Sequence, residues 1–250
     1  MNEQEILDEL NKYMFVPERT NTEYTKACDE REAKYGGFNE VSASSADSIF
    51  ESVVLPSLGD FVRIKKGLFV KELSGDFFHL IVFGRGRYSY GFTWGVSLSY
   101  VPHKWEGACK FHRTLKSARL DLFETDGVLI KDIYSAETLE YGATFFHGEK
   151  CFHDELVRAW KNLEPIIRNW FSSVTTLDDV LAKAKFQLNH PTYKGYHHHN
   201  PDPKLVYAFT LAKTGRFQEG LIALEELRKS QSSFYSSDEL PKALRQIATM

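Results

Sequence analysis

The segment from Ser74 to His103 constrains the fold more than any other part of the chain. In its second half, apolar residues alternate with small or polar ones. The apolar set is Phe92, Trp94, Val96, Leu98 and Tyr100, and the other set is Thr93, Gly95, Ser97 and Ser99. This period of two predicts a sheet strand with one covered face. The opposite face, with Thr93, Ser97 and Ser99, is a candidate contact surface.

The run before this strand predicts the centre of the sheet. Residues 77–83 are apolar on both faces apart from His79, as expected for a strand covered on at least one side. Gly84 to Arg87 connect the two strands, and this link is too short for a parallel crossover. The two strands should therefore pair in antiparallel fashion.

Further strands are predicted before and after this pair. Residues 61–73 predict one strand or a hairpin bent at Gly67. Asp126-Gly127, between residues 119–124 and 128–134, predicts another hairpin because Asp-Gly suits a tight turn between strands. Together these runs predict an antiparallel sheet of about five strands.

Helical spacing of apolar residues occurs on both sides of the predicted sheet. Residues 46–57 form an amphipathic stripe after Ser45, a residue type that caps helix N-termini. Residues 151–187 contain a longer stripe and a second helix, which Thr176 and Asp179 would open as a capping-box-like pair. We expect these helices to cover one face of the sheet, which gives an α+β fold.

The chain divides into an arm, a core domain, a linker and a helical tail. Residues 190–203 contain three prolines and no apolar periodicity, which predicts a linker over residues 189–203. Before the linker we predict an N-terminal helical arm over residues 1–44 and an α+β core domain over residues 45–188. After it, residues 204–250 predict a C-terminal helical hairpin and a terminal helix.

Composition argues against several classes of partner. The net charge of −3 gives no reason to expect nucleic acid or an anionic membrane surface. No apolar run reaches the roughly 18 residues of a membrane-spanning helix, and the acidic N-terminus is unlike a secretory signal. Three cysteines, odd in number and widely spaced, favour a reducing cytoplasm over a disulfide framework. We therefore predict a cytoplasmic protein.

The order of motifs over residues 46–187 resembles a known bacterial family. Gly59, Phe61, Lys65, Lys66 and Phe69 follow the first predicted helix, and the aromatic strand FTWGVSLSYVPH comes after them. This order is similar to a bacterial family of domains of unknown function, in which a Gly-Phe-Lys-Lys-like motif precedes an antiparallel sheet and C-terminal helices. The resemblance implies that fold and no catalytic residues. Some relatives of this kind are suspected interaction or immunity proteins.

A second resemblance concerns the C-terminal segment. Residues 207–227 are similar to half of a tetratricopeptide-type helical hairpin. Gly215 matches the turn glycine, Phe217 the aromatic after it, and Gly220 the small residue where the two helices touch. A single repeat of this type needs a neighbour to bury its faces. The resemblance therefore implies a hairpin packed on the core domain.

The turn between the two central strands is a candidate anion site. Arg85 and Arg87 could offer guanidinium groups to a phosphate or carboxylate, and Tyr88 and Tyr90 flank them. No helix follows as in a phosphate-binding loop, which excludes a dinucleotide motif. A tight hairpin turn with solvated arginines is the alternative.

One short segment carries residue types that bind zinc. His147, Cys151 and His153 lie within seven residues, and imidazole and thiolate suit this metal. Cys151 and His153 are two apart, however, so they would point to different sides of a helix. A helix N-terminus is therefore the alternative, and we assign no cofactor. The run His197-His198-His199 lies in the predicted linker and favours a solvated loop.

Nucleophilic catalysis has little support in the sequence. No Gly-x-Ser-x-Gly elbow occurs. Cys109 and His112 lie close in sequence and are a candidate nucleophile and base. His79, inside an apolar strand, is expected to be a hydrogen-bonded core histidine or a base. Acids such as Asp121 and Glu124 are expected to be surface charge.

Two function hypotheses follow. The first is a non-enzymatic protein-interaction module, with an immunity-like role as one form of it, that binds a protein partner through the polar strand face or the arginine turn. The second is an enzyme or small-ligand or anion-binding protein with a cleft between sheet and helices. It would use His79, Arg85, Arg87 and His103, and their convergence in one pocket would favour it.

Overall fold

An antiparallel sheet and seven helices make up the part of the chain that the computed structural model describes. That part comprises residues 22–86, 89–104, 108–112, 114–126, 141–189, 201–231 and 235–249. The α+β fold predicted from the sequence is confirmed. Residues 1–21 of the predicted N-terminal arm, the predicted strand at 128–134 and residues 190–200 of the predicted linker lie outside the described residues.

The strands form one main sheet and a short ribbon. In chain order they are β1 (Val62–Lys65), β2 (Leu68–Ser74), β3 (Phe77–Arg85), β4 (Ser89–Leu98), β5 (Pro102–Lys104), β6 (Lys110–Phe111), β7 (Leu122–Thr125) and β8 (Ala143–Thr144). The main sheet has the order β1-β2-β3-β4-β7, and β8 pairs with the start of β4. The pair β5 and β6 forms the ribbon. The predicted hairpin over residues 61–73 is confirmed, with Gly67 at its bend at φ 67°.

The helices precede and follow the sheet. They are α1 (Thr22–Tyr35), α2 (Ala43–Val53), α3 (Gly148–Ser172), α4 (Leu177–Asn189), α5 (Pro203–Lys213), α6 (Phe217–Ser230) and α7 (Glu239–Ala248). Helices α2 and α3 cover the sheet face that carries the alternating apolar residues of β4. Phe50 of α2 stacks on Phe83 at 4.3 Å between ring centroids, and Trp160 of α3 lies 5.4 Å from Phe92. Aromatic packing therefore holds helices and sheet together.

The second face of the sheet is covered by a smaller apolar cluster. Phe78 and Leu80 of β3 pack with Ala118 and, less buried, Leu115 and Leu120. This cluster forms because β3 is apolar on both faces, so each face must be removed from water. The segment after residue 114 therefore covers part of the face that the sequence left open as a contact surface.

Helix α4 covers the edge of the sheet at β7. Lys183 donates to Glu124 at 3.1 Å, and Gln187 Nε2 donates to the Phe123 carbonyl oxygen at 2.9 Å. An edge strand carries unpaired backbone groups that can pair with another chain. The bond from Gln187 satisfies one backbone carbonyl of that edge, and the Lys183–Glu124 pair holds α4 against the strand.

The helix caps match the sequence prediction in one case and differ in the other. Thr176 and Asp179 form the predicted reciprocal pair: the Asp179 amide donates to Thr176 Oγ1 at 3.2 Å, and the Thr176 amide donates to Asp179 Oδ2 at 2.9 Å. The cap of α2 is Ser42 and not Ser45 as predicted, because the Ser45 amide is the group that donates to Ser42 Oγ. Because several serines lie close together here, the sequence alone does not show which of them caps the helix.

The first and last helices of the described part of the chain pack on the central layer. Arg31 of α1 forms a buried ion pair with Glu155 of α3 at 2.7 Å. Helices α5, α6 and α7 contribute side chains to the same apolar cluster as the sheet and α3, and Tyr100 contacts Thr210 of α5 through their hydroxyls at 3.2 Å. The domain boundaries predicted from the sequence stay a prediction.

Helices α5 and α6 touch at Gly220. A methyl group at this position would lie 2.6 Å from the Ala208 carbonyl oxygen. The two helix backbones are therefore too close there for any side chain larger than hydrogen. This is the role that the sequence assigned to Gly220.

The change Gly220→Ala tests this close contact. At an unobstructed helix position the change stabilises by about 1 kcal/mol. Here the methyl would overlap Ala208, so we expect the free energy of unfolding, measured in urea, to fall by about 1–3 kcal/mol. The control Gln218→Ala, on the exposed side of α6, should stay within about 0.5 kcal/mol of wild type. A gain in stability at Gly220 would contradict the contact.

Candidate functional site

A pocket of about 240 Å³ lies between the sheet and α3. Its walls come from β2, β3, α3 and the turn around residues 57–61. It forms at the edge of the main core, where α3 passes over the outer strands. It is therefore a cleft between sheet and helices, the location that the second function hypothesis requires.

His79 lies at the floor of this pocket. Only 4% of the residue is exposed, and its ring stacks on Phe171 with 4.3 Å between centroids. Its Nε2 lies 3.0 Å from the carbonyl oxygen of Val174. Because a carbonyl can only accept, Nε2 carries the hydrogen, and in the neutral ring Nδ1 is left as an acceptor. No described residue donates a hydrogen bond to this Nδ1.

The surroundings keep the ring neutral. Burial lowers the pKa of His79, the bond to Val174 opposes this shift, and the charge of Lys71 lowers the pKa further. Lys71 is the direct partner of His79 across β2 and β3, so both side chains lie on the same face of the sheet. A neutral, oriented imidazole can accept a hydrogen bond or a proton from a bound molecule.

The rim of the pocket carries charged groups that are already paired. Lys71 Nζ lies 2.8 Å from Asp60 Oδ2, and the side chain of Asp60 is 78% exposed. Arg168 pairs with Glu164 at 2.8 Å and donates to the Ser57 carbonyl oxygen. Ion pairs this exposed contribute little to stability. A bound anion could therefore replace the Asp60 carboxylate at Lys71 at low cost.

The walls below the rim are apolar. Ile81, Trp160 and Phe171 are buried pocket-lining residues, and the Trp160 indole is fixed by a 2.8 Å hydrogen bond to Ser57 Oγ. Small-molecule sites typically combine such apolar walls with a few oriented polar groups. The pocket has this composition, with His79 as the buried polar group.

Arg85, the described arginine of the turn between β3 and β4, is not an open guanidinium group. Arg85 pairs with Glu40 at 2.7 Å and lies over the Phe145 ring, 3.8 Å from its centroid. Tyr90 is buried in the main core. Arg87 and Tyr88 lie outside the described residues. An anion at this turn would have to compete with Glu40 for Arg85.

The polar face of β4 is partly buried. Ser97 is 0% exposed, and its Oγ accepts from the Arg119 amide at 3.2 Å. Ser99 Oγ donates to Asp76, while Thr93 is half-buried opposite Thr125 of β7. Ser97 therefore has a structural contact and cannot belong to an open contact surface, because the segment around Arg119 covers it.

The residues of the second hypothesis do not converge. His79 and Arg85 both lie on β3, six residues and therefore about 20 Å apart along the strand. His103 lies on β5, where its ring stacks on His112 at 4.2 Å. Of the described members of that set, only His79 lines the pocket. Lys71 and Arg168, which the sequence did not single out, are its cationic neighbours.

The zinc-type segment does not form a metal centre. Cys151 is buried in the core side of α3, whereas His153 is exposed, as the spacing of two on a helix requires. His147 precedes the helix, and its Nδ1 lies 3.1 Å from the Gly36 carbonyl oxygen. Across the described ranges, no three His, Cys, Asp or Glu side chains are grouped to hold a metal ion.

Cys109 and His112 lack the properties of a nucleophile and its base. Burial, with the charge of Glu239, raises the pKa of Cys109 to about 11, so the thiolate is scarce at neutral pH. Burial lowers the pKa of His112 to about 4, and His103 and Arg119 add to the shift. This pair does not support covalent catalysis.

Asp121 differs most from its sequence prediction. It was expected on the surface, but only 1% of it is exposed. Its Oδ2 accepts from the Leu98 amide at 2.7 Å, and Arg119 Nε lies 3.7 Å from Oδ1. Burial raises the pKa of Asp121 to about 8, against the effects of Leu98, Arg119 and Ser97. In the sequence, only the position of Asp121 directly before the short strand β7 could have indicated that it is buried.

Comparisons with known proteins give no relative. No family model, curated protein or solved structure matches this chain. The resemblances to the bacterial family and to a tetratricopeptide hairpin therefore stay predictions. Among the helices described, none is long and apolar enough to cross a membrane.

The change Asp121→Asn tests the buried carboxyl. Between its ordinary pKa of 3.8 and about 8, the folded protein binds more protons at Asp121 than the unfolded chain does, so wild-type stability falls as pH rises. The amide oxygen of the introduced asparagine can still accept from Leu98, and the amide does not ionise. We expect the variant's free energy of unfolding to rise relative to wild type, by a few kcal/mol between pH 4 and 8.

Urea unfolding of both proteins at pH 4, 6 and 8 measures this difference. Other titrating groups are common to the two proteins and cancel. A difference that does not change with pH would show that Asp121 titrates as a surface carboxyl does.

Proposed function

We propose that this protein binds a small molecule in the pocket between the sheet and α3, with His79 as the hydrogen-bond acceptor at its floor. One observation carries the proposal. The imidazole is almost fully buried and oriented by Val174, yet no described residue donates to its Nδ1. A molecule that enters the pocket with a donor group would complete this hydrogen bond.

The energetics favour such an occupant. Nδ1 is accessible from the pocket, since it is not among the fully buried polar atoms of the described residues. A ligand donor would therefore take the place of water at this nitrogen, and a hydrogen bond of this kind contributes about 0.5–1.5 kcal/mol. The neutral ring is already oriented, so binding requires little further ordering at this residue. The pocket volume of about 240 Å³ equals about eight water molecules at ~30 Å³ each. This is below the ~300–1,000 Å³ of drug-sized sites, so the ligand should be small.

The interaction hypothesis from the sequence stays a prediction with less support. Ser97 and Tyr90 are buried and Arg85 is paired, so these members of the predicted contact surface are not available as free groups. A bacterial cytoplasmic location, including an immunity-like role there, is likewise only predicted. The three free cysteines are compatible with a reducing compartment.

A screen of fragment-sized molecules by ligand-observed NMR tests the pocket. Ser172 lines its mouth with an exposed side chain at the end of α3, so Ser172→Trp should block entry without disturbing the core. The matched control is Ser52→Trp near the end of α2. Both serines donate from Oγ to the carbonyl oxygen three residues earlier at 2.8 Å, and Ser52 lies outside the pocket.

We expect fragments that bind wild type and Ser52→Trp to lose at least about tenfold in affinity with Ser172→Trp, equal to about 1.4 kcal/mol. Thermal unfolding of the three proteins verifies that they are equally folded. If no fragment binds wild type, or if hits bind Ser172→Trp equally well, the pocket is not a ligand site and the proposal is overturned.

A further inference from the structure

We infer that the ligand of this pocket is a small 2-hydroxycarboxylate with one apolar or aromatic substituent, held by His79 through its hydroxyl and by Lys71 through its carboxylate. This inference rests on the proposed function and names the class of molecule. It follows from the positions of the polar groups, the charge of the lining and the size of the apolar walls.

The positions of His79 and Lys71 favour a ligand whose donor and anion are close together. The two residues face each other across β2 and β3 on the pocket side of the sheet. The charge of Lys71 acts on the His79 ring, so the ammonium and the imidazole lie near each other. A ligand with its hydroxyl and carboxylate on neighbouring carbon atoms can contact both groups. Nδ1 accepts from the hydroxyl, and the ammonium binds the carboxylate.

The charge of the lining favours a monoanion. Arg168 is balanced by Glu164, and His79 is neutral. Lys71 is balanced by Asp60, so replacement of Asp60 by a ligand leaves one positive charge for that ligand to balance. A single carboxylate balances this charge. A second carboxylate would meet Glu164, and an ammonium donor in place of the hydroxyl would lie beside Lys71.

The present partner of Lys71 does not prevent this binding. Asp60 does not line the pocket, and its side chain is largely in water. A ligand carboxylate inside the pocket is less exposed and therefore interacts more strongly with the same ammonium. Replacement of Asp60 leaves that carboxylate solvated, so the exchange costs little.

The apolar walls determine the third part of the ligand, which is its apolar or aromatic substituent. Trp160, Phe171 and Ile81 offer rings and an aliphatic side chain, and the pocket holds about eight water volumes at ~30 Å³ each. One phenyl ring or a branched alkyl chain fills this space after the hydroxyl and carboxylate are placed.

Mandelate and two analogues test the inference by isothermal titration calorimetry at pH 7.5. Phenylacetate lacks the hydroxyl of mandelate, and 1-phenyl-1,2-ethanediol lacks its carboxylate. We expect mandelate to bind wild type about tenfold more tightly than either analogue, which corresponds to one hydrogen bond or one charge-assisted contact. Equal binding of mandelate and phenylacetate would overturn the role of the hydroxyl.

Two variants assign the contacts to residues. In His79→Phe the ring can still stack on Phe171, but the Nδ1 acceptor is gone. It should weaken mandelate about tenfold and leave phenylacetate unchanged, whereas a merely structural role would weaken both. Lys71→Met should weaken mandelate and phenylacetate but not the diol. The control Lys65→Met, on exposed β1 away from the pocket, should change none of them.

The outcomes separate this inference from the proposed function. If fragments bind the pocket but mandelate has no advantage over its analogues, the ligand class is wrong and the pocket remains a binding site. If mandelate binds wild type and Ser172→Trp equally well, its site is elsewhere and the inference fails. If neither fragments nor mandelate bind, both proposals fail together.

Discussion

The antiparallel pairing of β3 with β4 is the constraint on which the rest of the structure depends. The register runs without a shift from Phe77 opposite Leu98 to Arg85 opposite Tyr90. Because side chains alternate along a strand, this register decides which residues face α2 and α3 and which face the segment after residue 114. Both faces are apolar at β3, so both must be covered, and the helices and the second cluster supply that cover.

The pocket is a consequence of the same register. It places His79 on the helix-covered face, among side chains that are otherwise apolar. The separate pairing of β2 with β3 puts Lys71 directly opposite His79. A polar group in such a position needs a partner. Val174, after α3, satisfies one ring nitrogen, and the gap between α3 and the outer strands leaves the other facing no donor from the described residues. The packing of helix on sheet thus leaves one oriented acceptor accessible from the pocket.

Local patterns in the sequence were sufficient to predict the fold class, but they were not sufficient to predict the candidate site. The alternation in β4, the two-faced run of β3 and the Thr176–Asp179 pair each depend on neighbours within a few residues, so they could be predicted. Asp121 and the pocket depend on contacts between distant residues. His79 meets Val174 and Phe171 about 90 positions later, and Asp121 is buried by strands that precede it by more than 20 residues. The spacing of residues along the chain does not predict such contacts.

The sequence by itself determined the α+β class, the antiparallel central strands and the helices that cover them, because period and turn chemistry act locally. Only the tertiary structure decided which polar residues are free to act. It paired Arg85 with Glu40, buried Ser97 and Asp121, separated Cys151 from His153, and left His79 beside Lys71 in a small pocket. The physical reason is that burial, ion pairing and pKa depend on what packs against a residue, and residues far away in the chain do that packing.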